Sequence, residues 1–253
     1  MTKFNIILFH ALLLLSTGAY ACSCASIRVE DNFQHSQFVA KAKILKITPD
    51  PKNKSYHDAE IELITLYKGE HLKKLKILST LNSSCRFLPS VNSTWLIFAS
   101  EWQGVLSFGF CSGSLNLSET FDPIKYTKAE RNYRRGIALK QQVLEYLSKK
   151  KLFDPNPLHL TAFNENLEMI EGYKNKDGFA VFQVDLTTDL SIASIKILKK
   201  FQNHALTKAV FDSMKKDLTI SKPENKTTAN PTRMLIFCYC HQFDSGEGSV
   251  SLF

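Results

Sequence analysis

Six cysteines constrain this chain more than any other feature: they stand at 22, 24, 85, 111, 238 and 240, and none precedes position 22. Upstream lie a charged start at Lys3, an apolar run from Ile6 to Leu15 interrupted by His10, and Ala19-Tyr20-Ala21. Charge, short apolar core and small-residue site in that order read as a secretory signal peptide over residues 1–21, cleaved before Cys22. The run is too short for a good spanning helix, and no later segment offers one. An even number of cysteines in an exported chain implies disulfides, and the four at 22, 24, 85 and 111 allow three connectivities. Cleavage before Cys22 leaves a free α-amine on a residue whose side chain a disulfide can clamp. Such an amine can bind a metal.

Charge divides the chain. Residues 22–150 hold 19 Lys/Arg against 12 Asp/Glu, whereas residues 151–253 hold 12 against 12. The contrast supports two units, with Phe153-Asp154-Pro155-Asn156-Pro157 marking a linker at 151–157. A basic excess of this size aids solubility and does not call for nucleic acid as a partner. Asn53, Asn82, Asn92, Asn116 and Asn225 each begin an Asn-x-Ser/Thr pattern, which is a glycan acceptor only in a eukaryotic secretory pathway.

Within the first unit, 22–150, alternation over much of 37–47 predicts a strand, and short apolar-rich segments at 59–67, 75–78, 95–99 and 105–110 predict four more, with Lys68-Gly69-Glu70 and Gln103-Gly104 as turns. Five short strands suggest a small sandwich or barrel. Over 128–149 the period becomes helical. Tyr133, Ile137, Ala138, Val143, Leu144 and Leu147 form the apolar side, and Arg131, Arg134, Arg135 and Lys140 an outer face expected to be solvated. The second unit, 158–243, reads as strands over 178–186 and 191–198, a helix over 203–218 and a strand over 233–240. That β-β-α-β order makes a small α+β domain, followed by a tail at 244–253.

No catalytic motif emerges. The seven histidines form no HExxH pattern, and GxSxG, P-loop and GxGxxG patterns are absent. Cys238-Tyr239-Cys240-His241 places two thiols on one face of a strand with no second ligand pair, which favours a buried reduced pair or a strained bond over a metal or redox site. The expectation is a non-enzyme without a cofactor.

The landmarks of the first unit also have a recognisable order: Cys22-Ser23-Cys24, Val39-Ala40-Lys41-Ala42, Leu66-Tyr67-Lys68-Gly69, Cys85, Trp95-Leu96-Ile97-Phe98-Ala99, and Gly104-Val105-Leu106 leading to Cys111. From Cys22 to about Leu117 the chain resembles the tissue inhibitors of metalloproteinases and the wider netrin-like family. The resemblance implies an all-β OB-like barrel with a flanking helix, and disulfides Cys22–Cys85 and Cys24–Cys111. It further implies that the amine and carbonyl of Cys22 chelate the catalytic zinc of a target protease, in the complex only. Ser23 would enter the specificity pocket, and Asn82, Ser83 and Ser84 would form a second edge of the inhibitory wedge. The chemistry is sound: catalytic zinc keeps an open position, an α-amine with a pKa of about 8 is partly neutral at pH 7, and clamping the wedge lowers the ordering cost of binding. The family's third disulfide has no counterpart, since Gln34 stands near where its first cysteine would sit.

Residues 158–241 resemble, through their β-β-α-β order and the Ala209-Val210-Phe211 helix core, the C-terminal domain of TonB-type energy transducers. This implies peptide docking or packing rather than energy transduction. The combined expectation is a secreted or periplasmic inhibitor of zinc metalloproteases. The alternative is a non-catalytic protein-interaction module of the cell envelope. Ala-Tyr-Ala-Cys also loosely resembles a lipoprotein processing site, and lipid anchoring would consume both the amine and the thiol of Cys22.

Overall fold

Alternating strands of the first unit close on themselves: β1 (Phe38–Pro49), β2 (Tyr56–Lys68), β3 (Lys74–Leu78), β4 (Thr94–Trp102) and β5 (Val105–Gly109). The computed structural model describes residues 22–221, 228, 230–242 and 248–252. The expected signal peptide and the Asn225 pattern lie outside the described residues. Pairing runs β1-β2-β3-β5-β4 and returns from β4 to β1; β3 and β5 are parallel, the other pairs antiparallel. The result is a closed five-stranded mixed barrel, consistent with the expected OB-like architecture, with a short β6 (Leu115–Asn116) added to β4. Phe38, Ala40, Ala42 and Ile44 fill its interior from β1 while Val39 faces the helices outside, which is why that segment alternates. Gln103 (φ 51°) and Gly104 (φ 76°) make the two-residue turn between Trp102 and Val105.

A short helix, α1 (Val29–His35), precedes β1 and was not expected. Val29 and Phe33, four residues apart, bury against the barrel's outer face. Lys68 Nζ donates to the carbonyls of Phe33 and Gln34, each at 2.8 Å, and so satisfies the helix C-terminus. Gly69 follows with φ +94°, where a Cβ would lie 2.6 Å from the Gln37 carbonyl oxygen. Lys68 and Gly69 thus serve the junction of α1 with β1 and β2.

Helix α2 (Ala129–Lys149) buries Ile137, Leu139, Val143, Leu144 and Leu147. Ala138, expected inside, is exposed, and Leu139 takes its place. The supposed outer face also needs correction. Arg134 donates to the Leu117 and Glu119 carbonyls, Arg135 forks onto Asp177, and Lys140 is half-buried. The second unit covers part of this face, an arrangement that a helical period alone does not reveal.

That unit contains β7 (Thr161–Phe163), β8 (Gly178–Leu186), β9 (Ile192–Lys199), α3 (His204–Asp217), β10 (Thr219–Ser221), β11 (Thr232–Gln242) and β12 (Gly248–Ser251). An antiparallel sheet runs β12-β11-β8-β9, and β10 pairs with β7. β12 falls in what was expected to be a tail from 244. Its Gly-Ser-Val-Ser sequence carries little alternation, and Val250 alone of the four is a buried apolar side chain. Asn203 caps α3, accepting from Leu206 N at 3.1 Å. One sheet face, including Phe182, Val184, Ile236 and Cys238, meets Leu206, Val210 and Met214 of α3. The other, with Phe179, Val181, Leu235, Phe237 and Tyr239, joins Phe33, Val143 and Leu144 in a single apolar cluster. Residues 151–157 are held between the halves: Leu235 N donates to the Pro155 carbonyl at 2.7 Å, and Gln34 donates to the Asn156 carbonyl at 3.0 Å.

Candidate functional site

The cysteines at the start of the described chain meet one rim of the barrel. Because β3 and β5 are parallel neighbours, with Leu78 opposite Gly109, the segments that follow them leave the barrel at the same end. Cys85 lies on the first and Cys111 on the second. Cys22 is bonded to Cys85 and Cys24 to Cys111, each pair with Cα atoms 5.2 Å apart; this is the connectivity that the resemblance implies. Gly109 permits the approach of the two strands, since a Cβ there would stand 3.0 Å from the Leu78 carbonyl oxygen. Ser23, between the cystines, is exposed, and its carbonyl oxygen lies 3.9 Å from the Cys111 sulfur.

Asn82, Ser83 and Ser84 are exposed on the loop that carries Cys85, and the Cys22–Cys85 bond ties this loop to the CxC segment. Its conformation is set from within. Phe87 N donates to the Ser79 carbonyl at 2.8 Å and closes the loop; Ser83 Oγ donates to the Thr80 carbonyl at 2.9 Å and accepts from Cys85 N at 3.1 Å. The Phe87 ring packs edge-on against Trp95 and Phe108, centroids 5.4 and 5.7 Å away. Leu81, Leu88 and Phe110, close in sequence to the two cystines, are exposed. The two cystines therefore tie the six expected wedge residues to one end of the barrel.

A second concavity escaped sequence reasoning. A cavity of about 850 Å³ opens between the start of α1, α2, residues 156–161 and β11. At its edge Tyr239 donates its hydroxyl to the buried Glu30. Burial pushes the Glu30 carboxyl up to about 7, against the opposing effects of the Tyr239 hydrogen bond and the nearby Arg28. Arg28 Nε lies 2.7 Å from Asp31 Oδ2 and 3.7 Å from Glu30 Oε1. Lys140, on the cavity wall, has its ammonium pKa lowered by burial, with Glu30 pulling the other way. The only local signal for this site was the acidic pair Glu30-Asp31 between Val29 and Phe33, at helical spacing.

Cys238 and Cys240 are free and buried against the α3 core, the reduced alternative of the two left open. Burial raises the pKa of both thiols. Among the described residues no group of three or more His, Cys, Asp or Glu is placed to hold a metal ion, and no helix is long and apolar enough to cross a membrane. No protein-family model matches the chain, and no curated protein matches it.

Proposed function

We propose that this protein is a secreted or periplasmic inhibitor of zinc metalloproteases, with an OB-like, netrin-type barrel that presents Cys22, Ser23 and Cys24 as a wedge. The observation that carries the reading is the double clamp: two cystines on alternate residues hold the CxC segment against the barrel rim while Ser23 stays exposed. After cleavage before Cys22, its amine and carbonyl oxygen occupy the open position of a target's zinc and displace the water there. Ser23 enters the adjoining pocket, and Asn82 to Ser84 make the second edge of contact. Little freedom remains to be lost on binding, because both edges are fixed beforehand. The test is inhibition of a panel of zinc metalloproteases by oxidised protein beginning at Cys22, beside a form extended by one alanine. The first inhibits and the second does not. Equal potency of the two would refute chelation by the amine.

A second reading, a non-catalytic envelope interaction module, is favoured by β9. This strand ends the four-stranded sheet and exposes Ile192 and Leu198, a form suited to strand addition by an extended peptide. The TonB-like assignment of the second unit belongs to this reading. A lipid thioether on Cys22 and its bond to Cys85 need the same sulfur, so the anchored form of the module lacks the first clamp.

A further inference from the structure

We propose that the cavity between α1, α2, residues 156–161 and β11 binds a small amphiphilic carboxylate, its head at Lys140 and its chain along Ile27, Leu139 and Leu160. The space, about 850 Å³, lies within the range of ligand sites. It is built into the helix: Gly136 stands in the interior of α2 on the cavity wall, where a Cβ would meet nothing within 4 Å. Glycine at such a position weakens a helix, and here it leaves room that any larger side chain would occupy.

The polar groups select the charge of the occupant. Asp31, the one carboxylate on the wall, is engaged with Arg28 at 2.7 Å. Glu30 is buried and takes the Tyr239 hydroxyl; with its carboxyl held up to about 7, it carries only part of a negative charge at neutral pH. Lys140, by contrast, is half-buried and makes no hydrogen bond or ion pair among the described residues. A desolvated ammonium without a bonded partner gains from an anion that replaces the water it has lost. Arg28 and three histidines, His35, His159 and His241, also line the space. Arg28 is taken up by Asp31 and Glu30, which leaves the Lys140 ammonium, beside Ile27, Leu139 and Leu160, to match a single negative charge on an apolar chain. The site shares no residue with the Cys22 to Cys24 wedge and does not depend on the inhibitor reading.

The experiment is calorimetric titration of the oxidised protein with decanoate, decanol and decyltrimethylammonium, each below its micelle concentration. Decanoate binds once per chain and roughly tenfold or more tighter than decanol, the factor expected of one charge-assisted contact. Lys140→Gln removes that preference and leaves decanol binding as it was. Gly136→Phe puts a ring into the cavity from the α2 wall and weakens both ligands by roughly tenfold or more. Should Gly136→Phe fail to fold, methyl NMR of the unaltered protein supplies the location, with decanoate shifting Ile27, Leu139 and Leu160. Absence of decanoate binding by folded protein, equal affinity for acid and alcohol, preference for the ammonium, or methyl shifts confined to other sites would each overturn the proposal.

Discussion

The hydroxyl of Tyr239 donates to the carboxyl of Glu30, joining β11 to α1 across 209 residues of chain. Glu30 is 4 % exposed, and burial dominates its titration, raising the carboxyl from 4.5 to about 7. Between those two values the folded protein holds a proton that the unfolded chain releases. The contribution to stability is therefore full below about pH 4.5 and is lost as pH rises through 7. The shift corresponds to about 3 kcal/mol. Urea unfolding from pH 4.5 to 8 should show this decline. Glu30→Gln keeps an acceptor for Tyr239 but does not titrate, so its decline should be shallower by that amount. An unchanged slope in the variant would remove Glu30 as the cause.

Arg135 predicts a different pH window. Its Nε and Nη2 reach the two Asp177 oxygens at 2.5 and 2.8 Å, and Gln242 N donates to the same carboxylate at 2.8 Å. The Arg135 hydrogen bond is the largest influence holding the Asp177 carboxyl below its ordinary 3.8. The stabilisation is present above pH 3.8 and is lost as pH falls through the depressed value. Arg135→Ala should cost about 1–3 kcal/mol at pH 7, as for a partly buried charged hydrogen bond. Arg135→Lys should recover only part, because a lysine cannot fork onto both oxygens. Both are read from chemical unfolding at pH 7 and again near pH 3.

These two sites show where sequence reading stops. Alternation along β1 was legible because side chains facing the barrel interior recur every second residue. β4 was legible as a short unbroken apolar run, since Trp95, Ile97 and Ala99 face the interior while Leu96 and Phe98 are covered from outside, and the Gln103-Gly104 turn was legible from its glycine. The number of cysteines was legible too, although their pairing came only from resemblance. Glu30 and Arg135 were not. A carboxylate in α1 and a guanidinium on a helix face both look solvated until the second sheet is laid over them, and their partners Tyr239 and Asp177 lie far along the chain. The same cause hid the cavity at Lys140. β12 was missed for a local reason, since Gly-Ser-Val-Ser acquires strand geometry only by pairing with β11.

Gly136 offers a stability test without a contact to lose. It lies inside α2, and an added Cβ finds nothing within 4 Å. Gly136→Ala should stabilise the protein by about 0.5–1 kcal/mol through reduced freedom of the unfolded chain and better helix propensity. The gain appears as a higher urea midpoint with an unchanged slope. A loss of stability would mean that the backbone at this position needs glycine for a reason other than helix geometry.

The thiols of Cys238 and Cys240 should be silent in the folded state. Both are fully buried, and desolvation raises the pKa of each, the stronger effect falling on Cys238. Reaction with a thiol reagent requires thiolate and access, so native protein should label at neither and urea-unfolded protein at both. Labelling of Cys240 in the native state at a rate independent of denaturant would place it in contact with solvent.

Ser23 separates the inhibitor reading from the interaction module most directly. It is exposed between two cystines and has no role in the barrel core, so Ser23→Arg should leave the thermal midpoint within about 0.5 kcal/mol equivalent of the parent. If residue 23 enters a protease pocket, the long charged side chain should change potency against sensitive metalloproteases by roughly tenfold or more, with different factors for pockets of different size and polarity. Cys22 and its amine are untouched by this substitution, so a change in selectivity at constant stability reports the pocket contact and not loss of the clamp. Inhibition constants unchanged across the panel would place Ser23 outside the contact. In the interaction module the same variant binds its partner as before, because the docking edge there is β9 and the CxC segment serves only to tie the chain to the rim.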